Sequence, residues 1–194
     1  MLIAISGSQG SGKSTLLNHI KQLGYNTIER KTSRSILSDW KTSLQEVNNN
    51  PDLTIKFQNE IISRKFQDEY SASLNSEIYF TERTYADLMA YYLCTLGHNN
   101  DYSNNINEYY KKCDQYNQTY DFVFYLKSGL FPIEMDGTRG TNQHYGRVVD
   151  LAIEDILKRT IQSNKLITIN TPNIADRIST IELAIQDLKP FEIV

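Results

Sequence analysis

Cysteine is scarce. Cys94 and Cys113 are the only two in 194 residues, and they have neither a paired framework nor a metal-ligand spacing. That excludes a disulfide-stapled scaffold and predicts buried thiols in a reducing compartment. No apolar run approaches the roughly 20 residues that a membrane-spanning helix needs. The short apolar stretch at the start leads straight into a glycine loop, which a signal peptide would not do. A cytoplasmic protein with no membrane partner is therefore expected. The formal net charge is −3, without blocks of like charge, so no broad basic face for duplex nucleic acid is advertised. Repeats, low-complexity tracts and flexible linkers are also missing. These exclusions leave a single α/β domain over residues 1–194 with a core of its own.

One stretch organises the rest. Leu2-Ile3-Ala4-Ile5 reads as a buried parallel strand. Gly7-Ser8-Gln9-Gly10-Ser11-Gly12-Lys13-Ser14 is a complete G-x-x-x-x-G-K-S, and Thr15, Leu16, Leu17 and Ile20 then have helical spacing. Strand, glycine loop and helix N-terminus together form a triphosphate cradle. The glycines let consecutive N–H groups turn inward, and the helix adds its unsatisfied N–H groups and the positive end of its dipole. Residues 7–15 are the expected nucleotide contacts, with Lys13 reaching the β- and γ-phosphates and the Ser14 hydroxyl binding Mg²⁺.

Hydrophobic periodicity then predicts strands near residues 25–28, 77–82, 121–126 and 165–170. Helices are expected over about 12–23, 31–47, 53–74, 85–96, 102–116, 148–161 and 174–188. Apolar faces are formed by Ile36, Leu37, Trp40 and Leu44 on the second, Ile55, Ile61, Ile62, Phe66 and Tyr70 on the third, and Val149, Ile153, Ile156, Leu157 and Thr160 on the sixth. Glu29 and Arg30 end the second strand, at the sheet edge that lines the ligand crevice in open α/β folds. Glu82 ends the third strand beside the phosphate loop. It is placed to hold Mg²⁺ or to take a proton from an attacking hydroxyl. Arg34, Gln58, Arg83 and Asp87 are candidate acceptor contacts, with a helix-capping carboxylate as the alternative for Asp87. Residues 127–147 carry four glycines and little apolar content after Met135, which predicts a closing lid bearing Asp136, Arg139 and Arg147. Arginines delivered there would offset charge on a transferred phosphoryl group.

The whole chain resembles the small P-loop kinases grouped with the ribosylnicotinamide kinase domain and its AAA-like ATPase relatives, near the nucleoside and nucleotide kinases. The resembling residues are the phosphate loop, Glu29-Arg30, Phe57-Gln58, Thr81-Glu82-Arg83-Thr84-Tyr85-Ala86-Asp87, and Pro132-Ile133-Glu134-Met135-Asp136-Gly137-Thr138-Arg139. Glu82-Arg83-Thr84 is closer to the Glu-Arg-Ser of deoxynucleoside kinases than to the Asp found elsewhere in the group. The resemblance implies a P-loop kinase fold, with a five-stranded parallel sheet flanked by helices and a mobile lid. It also implies Mg-ATP as donor and a nucleoside- or nucleotide-like hydroxyl as acceptor.

Within that reading Lys13, Glu82, Arg139 and Glu29 carry catalysis, while Ser14 and Glu82 hold the metal. Two alternatives stay open. The acceptor can be a polynucleotide end or a 5-hydroxymethyl base in viral DNA, with Lys31, Arg34, Lys41, Lys56, Arg64 and Lys65 sharing a binding face. The chain can instead be a regulatory ATPase. A guanine-reading Asn-Lys-x-Asp is absent, which disfavours a GTPase switch.

Overall fold

The computed structural model describes residues 1–28, 33–130 and 143–186. Five strands, β1 (Leu2–Ser6), β2 (Asn26–Thr27), β3 (Tyr79–Glu82), β4 (Phe122–Leu126) and β5 (Leu166–Ile169), form one sheet in the order β2-β3-β1-β4-β5. All four pairings are parallel, and Ile5 lies opposite Glu82 and Phe124. Parallel neighbours need helical crossovers, so both faces of the sheet are covered. The helices are α1 (Lys13–Gln22), α2 (Ser33–Trp40), α3 (Leu44–Asn49), α4 (Pro51–Ser73), α5 (Tyr85–Leu96), α6 (Ser103–Asn117), α7 (Gln143–Thr160) and α8 (Ile174–Gln186).

Strand alternation divides the core in two. Ile3, Ile5, Phe80, Phe124 and Leu126 pack with Leu16 and Ile20 of α1 and with Ile181 and Ile185 of α8. Leu2, Ala4, Val123 and Tyr125 point the other way, into a larger cluster built with α4, α5, α6 and α7. Burying each Leu, Ile, Val or Phe side chain among them stabilises the fold by about 1.5–3 kcal/mol. β1, fully flanked, is buried at all five positions.

Three expectations need correction. The helix expected over 31–47 is two helices in the described part, with Lys41 at φ 51° between them. Ser43 starts α3 with a capping box: its hydroxyl accepts from Glu46 N at 3.2 Å, and the Glu46 carboxylate accepts from Ser43 N at 2.7 Å. Those reciprocal bonds satisfy N-terminal donors that a continuous helix would not leave open. Leu44, expected on the apolar face, is consequently exposed. Helix α7 begins at Gln143, so the last five residues of the expected lid are helical and Arg147 lies on an exposed position of that helix. Tyr70, read as part of the buried α4 stripe, is also exposed.

Candidate functional site

The phosphate loop joins β1 to α1 at the C-terminal edge of the sheet. Gly7 has φ 141°, and a Cβ there would come within 2.5 Å of the Leu126 carbonyl and 2.8 Å of Ser11 Oγ. Only glycine fits that position. Gly12 caps α1 in the left-handed conformation (φ 85°) without a side-chain cap, which leaves the first turn of the helix facing the loop. Within the loop Lys13 Nζ donates to the Ser8 carbonyl at 2.7 Å and lies 3.3 Å from Ser11 Oγ. The ammonium is thus buried inside the cradle. Ser8 Oγ is also buried and has no hydrogen-bond partner among the described residues, so a donor remains there for an anionic oxygen.

Ser14 and Glu82 meet. The exposed Ser14 hydroxyl lies 3.3 Å from both carboxylate oxygens of Glu82, across the gap between α1 and the tip of β3. Parallel pairing of Ile5 with Glu82 sets that distance. A hydroxyl and one carboxylate are hard oxygen donors. They suit Mg²⁺, which takes few protein ligands and fills its shell with water and phosphate oxygens. No cluster of three or more His, Cys, Asp or Glu side chains capable of holding a metal occurs among the described residues.

Asp87 is fully buried and supports the loop from behind. Its carboxylate accepts from Ser6 Oγ at 2.6 Å, Gly7 N at 3.0 Å, Thr84 N at 2.8 Å and Thr84 Oγ1 at 2.6 Å. Thr84 is the N-cap of α5 and Asp87 its N3 partner, so the capping alternative describes this residue, one turn into the helix. The same carboxylate ties the start of the phosphate loop to the strand tip that carries Glu82.

Arg83 follows that tip in the left-handed conformation, φ 66°, which costs a non-glycine residue about 1–3 kcal/mol. Its guanidinium stacks on Tyr91 at 4.9 Å. Nη1 of Arg83 and the Tyr91 hydroxyl are both buried without hydrogen-bond partners among the described residues. Burial works against the guanidinium charge, but the Tyr91 hydroxyl and the Asp87 and Glu82 carboxylates outweigh it and raise the pKa further. Arg83 is a fixed cation next to Glu82.

Of the remaining candidates, Gln58 is buried on α4, with its amide oxygen 3.5 Å from the Tyr109 hydroxyl. Arg34 is exposed on α2. Glu29, Asp136 and Arg139 lie outside the described residues. Of the six residues suggested for a basic face, Lys31 lies outside the described residues, Arg34, Lys41 and Lys56 are exposed, and two are held in ion pairs. Arg64 is paired with Glu60 at 2.6 Å and Asp39 at 3.1 Å, and Lys65 is buried against Glu69.

Sequence reasoning missed two features. One is Tyr91, which carried no motif. The other is the inward position of Lys65, for which a signal existed: it continues the i, i+4 row of Phe57 and Ile61 into Glu69, and all four are buried. At the base of the expected lid, Ser128 donates to Asp150 through N at 3.3 Å and through Oγ at 2.7 Å. On the α8 side, Arg177 donates to the Ser11 carbonyl at 2.8 Å and the Thr171 carbonyl at 2.7 Å, joining the phosphate loop to the loop after β5.

No curated protein matches this sequence. Among solved structures, a deoxyadenosine kinase from M. mycoides with the products dCMP and a flexible dCDP bound is similar at TM-score 0.66 and 18% identity, over 97% of this chain and 100% of that one. The same kinase with bound dCTP gives TM-score 0.68 at 16% identity, with the same coverage. NadR protein in complex with NR gives TM-score 0.66 at 11% identity, over 96% of this chain but 48% of that one. At these identities the likeness shows the fold: a five-stranded parallel sheet flanked by helices, as in the P-loop nucleoside kinases. A family model described as "AAA domain" matches residues 2–177. By that match the chain belongs to the AAA domain family, and its fold is P-loop kinase-like.

Proposed function

We propose that this chain transfers the γ-phosphoryl group of ATP to a hydroxyl of a nucleoside- or nucleotide-like acceptor. The observation that carries the proposal is the meeting of the Ser14 hydroxyl with the Glu82 carboxylate at 3.3 Å, beside a loop that buries Lys13. Ser14 and Glu82 would hold Mg²⁺, whose positive charge would offset that of the phosphoryl groups. The loop N–H groups and the first turn of α1 hold the phosphates, and Lys13 follows the γ-phosphate as charge shifts towards the leaving oxygen. The acceptor oxygen forms its bond to the γ-phosphorus while the bond to the β–γ bridging oxygen breaks. Glu82 or Glu29 orients the hydroxyl and takes its proton. Arg139, together with Arg147 from the N-terminal part of α7, offsets charge on the equatorial oxygens.

The nucleoside-like acceptor class is supported by the fold shared with deoxyadenosine kinase and NadR. The spent charges of Arg64 and Lys65 favour a small acceptor over a nucleic-acid strand. The test is transfer from γ-labelled ATP with Mg²⁺ to a split panel. One half contains nucleosides, ribosylnicotinamide and monophosphates. The other contains DNA and RNA with free ends or hydroxymethylated bases. Label in a small molecule is expected, and Lys13→Ala should lower that transfer by at least ~10²–10³-fold while the protein stays folded. Label retained on polymer overturns the small-acceptor assignment. Label only in free phosphate throughout the panel favours an ATPase.

A further inference from the structure

The peptide between Glu82 and Arg83 is gripped on both sides. Its N–H, on Arg83, donates to the Ile5 carbonyl at 2.8 Å. Its carbonyl, on Glu82, accepts from Lys65 Nζ at 3.3 Å. Lys65 is 1% exposed and also donates to Glu69 and to Thr81 Oγ1 at 3.1 Å. Glu69 in turn accepts from the Tyr120 hydroxyl at 3.2 Å. The ammonium lies over the rings of Tyr85 and Tyr120, at 5.3 and 5.9 Å. It thus joins α4, the tip of β3 and the approach to β4.

Side chains alternate along β3. Phe80 and Glu82 face α1, while Tyr79 and Thr81 face α4. Lys65 therefore reaches the tip from the face opposite the Glu82 carboxylate and acts on it through the backbone. Arg83 is held at φ 66°. Rotating the 82–83 peptide by half a turn would bring that φ to the negative values that L-residues prefer. It would also break both bonds that grip the peptide.

A buried ion pair is a poor device for stability, because hydrophobic residues of similar volume usually stabilise as well or better. Its position here accounts for it by geometry instead. We infer that Lys65 is a positioning residue for phosphoryl transfer: it latches the Glu82–Arg83 peptide in the orientation that presents the Glu82 carboxylate to Ser14. This inference rests on the functional reading above, and its test separates the two.

The variant is Lys65→Met/Glu69→Leu, which removes both charges and leaves no ion unpaired. Thr81→Val, a strand-compatible isostere that removes one Lys65 acceptor, is measured beside it. Thermal unfolding checks the fold. Mn²⁺ binding in the presence of ADP, followed by electron paramagnetic resonance, reads the site without turnover. In the double variant Mn²⁺ affinity and kcat should each fall about 10–100-fold, as when an outer-shell partner is lost, while the KM for ATP stays within about twofold. Thr81→Val should move the same two quantities in the same direction by less. Folded variants with unchanged Mn²⁺ affinity and kcat would overturn the latch, as would a rise confined to the acceptor KM. If the unmodified protein binds Mn²⁺ and ADP but transfers no phosphate, the proposed reaction fails, and the ratio of Mn²⁺ affinities still decides the role of Lys65.

Discussion

The two faces of the sheet are built from different materials. Towards α1 and α8 the sheet packs against hydrocarbon, Ile3, Ile5, Leu16, Ile20, Phe80, Phe124, Leu126, Ile169, Ile181 and Ile185, and the buried charges on that side, Lys13 and Arg177, lie at the phosphate-loop end. Towards α4–α7 the packing includes buried tyrosines and a set of buried polar groups, among them Lys65, Glu69, Asp87 and Asn117. Asn117 donates to Thr160 Oγ1 at 3.0 Å and accepts from Ala86 N at 3.3 Å, so even its amide has partners. Hydrocarbon contacts are non-directional and tolerate small shifts. Buried hydrogen bonds have definite directions and are costly when broken. The first face therefore supplies mainly stability. The second holds the strand tip and the phosphate loop in one geometry.

The sharpest way to break this contrast is at Asp87. Asp87→Ala would strand four donors, two of them backbone N–H groups, at the junction of β1, β3 and α5. The expected loss is about 5 kcal/mol of unfolding free energy, at the large end for a single substitution. Nucleotide binding per folded molecule should fall with it, because Gly7 N loses its anchor. Denaturant unfolding together with ADP titration would read both. Retained stability with normal binding would mean that the polar face is not directional support.

A smaller effect is expected on the hydrocarbon face. Ile185→Ala removes a buried side chain from α8, with an expected loss of about 3 kcal/mol from transfer and cavity terms. Here kcat per folded molecule should not change. A loss of kcat beyond the unfolded fraction would show that the two faces are coupled and would erase the contrast.

Much of this was legible in the sequence, for reasons specific to each part. The phosphate loop was readable because glycine is demanded by space and by φ at Gly7, and no other pattern serves. Glu82 was readable from its place at a strand end. The inward row of α7, Val149, Ile153, Ile156 and Leu157, followed from its period and is buried. What escaped depended on contacts between distant segments. Lys65 looked like one more surface lysine: Thr81 and Tyr120 lie 16 and 55 positions along the chain, and its local pairing with Glu69 also suits an exposed helix face. Arg83 gave no sign of a positive φ, since the bonds that hold that peptide come from distant residues, Ile5 to its N–H and Lys65 to its carbonyl. The break after Trp40 is marked in the sequence only by Ser43-x-x-Glu46, a helix-start pattern.

That pattern supplies the smallest test, at a site remote from the buried polar set. Ser43 caps α3 through exposed bonds, and burial adds almost nothing to them. Ser43→Ala removes the hydroxyl that accepts from Glu46 N but leaves the Glu46 carboxylate able to accept from the backbone N–H of residue 43. The expected cost is about 1 kcal/mol, which for a chain of this size lowers Tm by about 2–4 °C. Mn²⁺ affinity and kcat should be indistinguishable from those of the unmodified protein, because α3 packs on α4 with Val47 as its buried residue, away from the strand tip. A substitution of equal cost that did disturb the site would imply that any loss of stability loosens the strand tip. The effects at Asp87 would then reflect weaker folding in general, with no special role for directed hydrogen bonds.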